Sequence, residues 1–317
     1  MDTVMSDRRE FLIKAGMAGA SIPFIHSLAS GAKINAGKST PQICYFTKHL
    51  QWLDFEDLGI ALKEAGFDGA DLTVRTGGHV EPEQAGAVLP KAVQTLQKYG
   101  ISTPMVVTKI SDPKAKGLDN FLKILSDNGV QHYRMGYLNY NYSISIAKSI
   151  ENFHDILKGL EEKNAKYNIC GGYQNHAGTR LGASIWDLWL SLKGLDANYI
   201  SCQFDVRHAV FEGGRSWEND FRCIKDFIRT TVVKDFFWEK NEQGIWANHN
   251  TQMGEGMVDF DRYFKIFNEL KIEGPISNHS EYALITKEES KLPKKEKMKI
   301  AIKRLKHDVD YTKKYLN

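Results

Sequence analysis

The sequence is short of cysteine, of charge of one sign, of long apolar runs and of linker-like stretches, and each shortage closes off a class of protein. Its four cysteines in 317 residues (Cys44, Cys170, Cys202 and Cys223) have no metal-knuckle spacing. Three fall inside strand-like runs, so buried free thiols are expected rather than a disulfide framework. The net charge is only +3, part of it in the N-terminal segment and part in a lysine-rich stretch near the C-terminus. Nothing there resembles the electrostatic footprint of a nucleic-acid binder. After the N-terminal segment, no apolar run approaches the ~20 residues that cross a bilayer. No Gly-x-Gly-x-x-Gly follows the first strand-like run, which weakens a dinucleotide-binding open sheet. Residues 42–317 contain no stretch rich in Pro, Gly or Ser and are expected to form one domain.

The first thirty-odd residues have a different character. Ser6-Asp7-Arg8-Arg9-Glu10-Phe11-Leu12-Ile13-Lys14 resembles the twin-arginine export signature. A mildly apolar stretch follows, interrupted by Gly16, Gly19 and Pro23, and then the small residues Ala29-Ser30-Gly31-Ala32. Residues 1–32 therefore read as an export signal, which places the mature chain in the periplasm or cell envelope. An amphipathic N-terminal helix is the alternative.

From residue 42 onward, apolar runs of strand length alternate with segments of helical period. Strands are expected at 42–47, 68–75, 101–108, 131–136, 168–174, 199–205, 228–234 and 275–281. Helices are expected at 55–65, 82–99, 113–127, 144–167, 184–193, 217–227, 258–270 and 288–315. Eight βα pairs favour a closed (β/α)8 TIM barrel, with a doubly wound open sheet as the runner-up. In such barrels ligands sit at the C-terminal ends of the strands.

The run Cys202-Gln203-Phe204-Asp205-Val206-Arg207-His208 shows why those ends matter here. Alternation puts Ser201, Gln203 and Asp205 on one face, and Ile200, Cys202 and Phe204 on the other. A strand with one polar face that ends in Asp makes sense if that face looks into a barrel whose mouth holds a ligand. The other strand ends deliver Arg75, Gly77, Gly78 and His79; Arg134; Gln174, Asn175 and His176; Lys234 and Asp235; and His279, Ser280 and Glu281. His132 reads as a core histidine, and Trp186 and Trp189 as helix packing. Trp217, Trp238 and Trp246 are expected in loops near the mouth, either stacking on a ligand or covering the barrel.

Gln174-Asn175-His176-Ala177-Gly178, Asp205-Val206-Arg207-His208, Lys234-Asp235-Phe236 and His279-Ser280-Glu281-Tyr282, in this order, resemble the xylose isomerase-like TIM-barrel superfamily. The likeness is closest to its bacterial sugar phosphate isomerase/epimerase proteins. Gly66-Phe67-Asp68-Gly69-Ala70-Asp71-Leu72 and Gly254-Glu255-Gly256 extend it across residues 42–317. The resemblance implies a carbohydrate substrate, proton abstraction next to a carbonyl, and a divalent metal (Mn, Mg or Zn) on Glu, Asp, His and Glu from strands five to eight. Asp205 and Glu281 match that set; Gln174 stands at the first Glu and Val232 at the His. A metal would then lie on Gln174, Asp205, Glu281 and His208. The acid–base candidates are Glu281, His176, His208 and Lys234, and the substrate-binding candidates Arg75, His79, Arg134, Asn175, His279 and Trp238. A lyase or hydratase acting on a keto-sugar, and a non-catalytic sugar-binding protein, are the competing expectations.

Overall fold

Several helices of this chain end where a residue takes the left-handed conformation and turns the backbone back toward the sheet. Gly66 (φ 99°) stops α1 (Phe55–Ala65) and Asn168 (φ 49°) stops α4 (Ile146–Tyr167). At the other end, Asp54 and Ser145 cap the same two helices by accepting backbone N–H bonds from Asp57 and Lys148. The computed structural model, which describes residues 40–316, arranges the resulting units as a closed parallel barrel. The expected export segment 1–32 lies outside the described residues.

The barrel strands are β1 (Ile43–Phe46), β2 (Gly69–Thr73), β3 (Ser102–Val107), β4 (His132–Arg134), β5 (Cys170–Gln174), β6 (Ile200–Asp205), β7 (Ile228–Val233) and β10 (Ile276–Asn278). They close in that order, with β10 beside β1. The remaining helices are α2 (Ala85–Lys98), α3 (Leu118–Asp127), α5 (Ile185–Leu192), α6 (Val206–Gly213), α7 (Trp217–Ile224), α8 (Phe260–Glu269) and α9 (Lys294–Lys313). The (β/α)8 expectation is met. The face assignment for β6 also holds: Phe204 stacks on Phe221 of α7 at 4.5 Å, while Ser201 turns inward toward Cys170.

Two elements depart from the expectation. Asp205 caps the short helix α6, where no helix is expected from the sequence. Residues 235–251, where loop is expected, form an antiparallel hairpin of β8 (Asp235–Lys240) and β9 (Trp246–Thr251). Asp235 anchors its base by accepting backbone N–H bonds from Phe236, Gly254, Gly256 and Val258. A Cβ on Gly256 would lie 2.2 Å from Asp235 Oδ1, so this turn needs glycine. Trp217 is corrected too: it is buried against Phe221 and Tyr263 under the barrel wall.

Two histidines make the fold acid-labile. Burial pushes both His79 and His132 down to about 4. The folded chain therefore holds them neutral, whereas the unfolded chain protonates them near pH ~6.5. Each contributes stability that is intact above that pH and is lost as pH falls toward 4, up to about 3 kcal/mol apiece. Thermal unfolding between pH 7 and 4 should show Tm falling steeply, and His132→Gln should flatten part of the slope. A pH-independent Tm would contradict this.

Candidate active site

The C-terminal mouth is built around Asp205, which closes β6 and caps α6 at once. Its fully buried carboxylate accepts from His208 N (3.1 Å) through Oδ1, and from Gln174 Nε2 (2.8 Å) and Lys234 Nζ (3.0 Å) through Oδ2. Gln174 Oε1 in turn accepts from Arg134 Nη1 (3.1 Å) and Tyr137 Oη (2.8 Å). One hydrogen-bonded chain thus runs from Arg134 through Gln174 and Asp205 to Lys234.

Lys234 also lies 2.9 Å from His208 Nε2, and His208 Nδ1 lies 3.1 Å from Arg207 Nη1. Both ring nitrogens of His208 face cationic donors. Burial, then the charges of Lys234, His176 and Arg207, push its pKa well down. A neutral imidazole has a single lone pair, and with a cationic donor at each ring nitrogen that lone pair is taken whichever tautomer is present, which removes His208 from the acid–base candidates.

His176 stands differently. Its Nδ1 lies 2.8 Å from Ala177 O, and a carbonyl only accepts, so the proton sits on Nδ1 and Nε2 carries the lone pair. Burial lowers its pKa against the weaker raising effect of the Ala177 hydrogen bond. The ring packs 3.9 Å from His208 and edge-on to Tyr137. It lines a cavity of about 430 Å³ together with Lys48, Arg207, His208, Lys234 and Glu281. Asn248 and Asn250 of the hairpin close one side. A second cavity, of about 390 Å³, lies over the starts of β3 and β4 and contains no carboxylate or imidazole.

Glu281 follows β10 on the opposite rim. Oε2 is 3.0 Å from Lys48 Nζ and 3.6 Å from His49 Nε2, and Oε1 is 3.9 Å from His279 Nδ1. Burial alone would raise its pKa; the neighbouring His49, Lys234, His279 and Lys48 outweigh it and hold the carboxyl far below the usual range. Glu281 is thus a firmly ionised group and a poor proton acceptor. Arg75, Arg134 and His279 surround the Phe46 ring at the tip of β1.

Three substrate-contact expectations are corrected. His79 accepts from Thr73 Oγ1 through Nδ1 and donates to Leu50 O through Nε2, each at 3.2 Å, so neither nitrogen is free. Gly78 before it serves the fold: a Cβ there would meet Thr73 O and Arg75 O at 2.8 Å. Asn175 spends its amide on the backbone of Asp205, accepting from N (2.7 Å) and donating to O (3.0 Å), and so welds β5 to β6. Trp238 packs at a tilt against Phe211 of α6, with ring centroids 4.7 Å apart, and is not among the residues lining the cavity. Sequence reasoning in turn missed Lys48 and Tyr137, although Lys48 sits directly past the first strand, where the strand-end rule would have found it.

The donor set does not fit a divalent cation. Val232 pairs in register with Asp205 and Ser277, so an aliphatic side chain occupies the level at which a histidine ligand would stand. Gln174 Oε1 already receives a guanidinium, and Asp205 Oδ2 an ammonium and an amide. His208 Nε2 faces the same ammonium. A dication there would have to displace Lys234 and sit beside Arg134 and Arg207. The expected metal on Gln174, Asp205, Glu281 and His208 is corrected on these grounds.

Solved structures with this architecture include a D-allulose 3-epimerase from Methylomonas sp. bound to D-allulose (TM-score 0.61, 14% identity, 87% of this chain and 98% of that one). The 3-keto-D-glucoside 4-epimerase of E. coli is similar (TM-score 0.58, 12% identity, 82% and 97%). So is the IolI protein with a bound zinc atom (TM-score 0.65, 14% identity, 86% and 99%). At such identities the likeness speaks to the fold. No curated protein matches the chain significantly by sequence. The family model described as xylose isomerase-like TIM barrel matches residues 60–307. With most of the barrel covered by that match, and with the strand order and mouth described above, the chain belongs to the xylose isomerase-like TIM barrel family.

Proposed function

We propose that the protein is a sugar isomerase that moves a proton between adjacent carbons with one base, His176, and an electrostatic partner, Lys234. The observation that carries this reading is the Nδ1 contact of His176 with Ala177 O, which leaves Nε2 as a lone pair on the cavity that Lys234 also lines. The C2 proton of an aldose passes to Nε2, and the C–H electron pair forms the C1=C2 bond of the enediolate. The carbonyl π pair becomes the O1 oxyanion, which the Lys234 ammonium stabilises by charge and hydrogen bonding. Return of the proton to C1 gives the ketose, with Lys234 passing a proton to O1 and taking the one from O2. Asp205 holds the ammonium in place. Family membership and the epimerases among similar structures support carbohydrate α-proton chemistry in general.

Two features favour isomerisation over inversion at one carbon. Inversion needs a base on one face and a loaded acid on the other. In the resting state His176 offers a lone pair and Glu281 is ionised, so neither can give up a proton to the opposite face, and the Lys234 ammonium is engaged with Asp205 and assigned to the substrate oxygens. Glu281 instead suits a hydrogen bond from a sugar hydroxyl, three strand positions around the ring from β5. The expected export segment would place the reaction in the periplasm.

Incubating a panel of aldoses and ketoses with the protein in D₂O tests the reading directly. Solvent deuterium should enter C1 of the ketose and C2 of the aldose of the true substrate pair, as read by proton NMR. Absence of exchange with every sugar would leave a binding protein, and exchange with loss of a hydroxyl would mean a lyase.

A further inference from the structure

The mouth holds more guanidinium than carboxylate. Glu281 is matched by Lys48 and Asp205 by Lys234, each at 3.0 Å. Arg75, Arg134 and Arg207 have no carboxylate within 4.0 Å among the described residues. Arg207 donates to Asn250 Oδ1 and lies 4.8 and 4.5 Å from the centroids of Phe211 and Phe236, although its Nε has no partner. The other two lie outside that aromatic sandwich. Arg134 is buried, gives one N–H to the neutral Gln174, and has an unpartnered Nε. Arg75 is half-buried and makes no side-chain hydrogen bond among the described residues.

Both guanidiniums crowd one aromatic ring, with their carbons 5.6 Å (Arg75) and 5.4 Å (Arg134) from the Phe46 centroid. Burial and then the charge of Arg134 push the pKa of Arg75 down. Asp71 relieves the crowding only in part: its charge favours the Arg75 guanidinium, but it lies more than 4.0 Å from both arginines and its Oδ2 is bonded to Ser277 Oγ at 2.7 Å. Two like charges held together beside a neutral amide are unfavourable until an anion arrives.

We propose that Arg75 and Arg134 receive a carboxylate of the substrate, so that the sugar this protein acts on is a sugar acid. Guanidinium forks match a planar carboxylate in pairs. A phosphate would call on glycine-loop amides as well, and here those are occupied: Gly77 N donates to Glu81 Oε1 and Gly178 N to Glu212 Oε1, each at 2.8 Å. The assignment deepens the isomerase reading but is measured apart from it.

Calorimetric titration of the wild type, Arg75→Gln and Arg75→Lys with D-glucuronate, D-glucose and D-glucose 6-phosphate, at low and high salt, is the test. Glucuronate should bind about tenfold tighter than glucose or better, with an advantage that shrinks as salt rises. Arg75→Gln should bring glucuronate down to glucose, and Arg75→Lys should restore part of the gap. Equal binding of acid and neutral sugar, preference for the phosphate, an undiminished gap in Arg75→Gln, or no binding of glucuronate would each overturn it. Because binding is read without turnover, a failed deuterium exchange would remove the isomerase reading and leave this result standing.

Discussion

Lys234→Met is expected to remove both turnover and a large part of the stability. The ammonium is nearly inaccessible and sits 3.0 Å from the fully buried Asp205 carboxylate. Removing one partner of a buried ion pair leaves the other uncompensated, a loss of about 3–5 kcal/mol. The Gln174 amide still bonds Asp205, which favours the lower end of that range. Loss of the group that faces the enediolate oxygen should separately lower kcat by roughly 10²–10³. Combining Lys234→Met with Asp205→Asn separates the two effects. Urea unfolding should show much of the stability restored in the double variant, because neither member of the ion pair is left as an uncompensated charge, while turnover stays lost. A Lys234→Met protein that keeps wild-type kcat would end the electrophile assignment, whatever its Tm.

His176→Gln carries the second large effect. A glutamine keeps a polar side chain at that strand end but offers no lone pair of comparable basicity, so exchange into D₂O should fall about 10²–10⁴-fold. Substrate binding, followed by calorimetry, should change little. The pH profile gives an independent reading. His176 must be deprotonated to act and its pKa lies below the ordinary histidine value, so kcat/KM should stay level from neutral pH and drop only below pH ~6.5. An acid limb at or above pH 7 would point to another group. Glu281→Gln should behave in the opposite manner, raising KM with kcat within about tenfold, because Glu281 is assigned to hold a hydroxyl. If Glu281→Gln instead silenced exchange while His176→Gln did not, the roles would have to be reversed.

These contrasts follow from how differently the mouth residues are engaged, and that engagement was only partly readable along the chain. Asp205 stood out because a polar face ending in a carboxylate is unusual in core, and the structure places it at the centre of the network. His176, His208 and Lys234 were singled out equally, since strand-end position is all that a sequence conveys about them. What separates them is a hydrogen bond to Ala177 O for one, two cationic neighbours for another, and a carboxylate for the third. His79 and Asn175 carried the same strand-end signal and proved to be bonded to the protein's own backbone. The hairpin at 235–251 went unread because its aromatic and asparagine residues are largely exposed, so no apolar face marks its alternation.

The order of apolar runs, their lengths and the glycines and caps between them were enough to specify a closed parallel barrel, because each strand and helix records its own period and its own ends. They also sufficed to gather the polar strand ends at one mouth. Whether a dication or an ammonium sits beside Asp205, and how Gln174 and Glu281 are engaged, depend on contacts between residues tens to hundreds of positions apart. The lone pair of His176 is set by a ring orientation toward the adjacent Ala177 O that composition does not record. A hydrogen bond satisfied across the barrel leaves no trace in local composition, and so only the tertiary structure decided it.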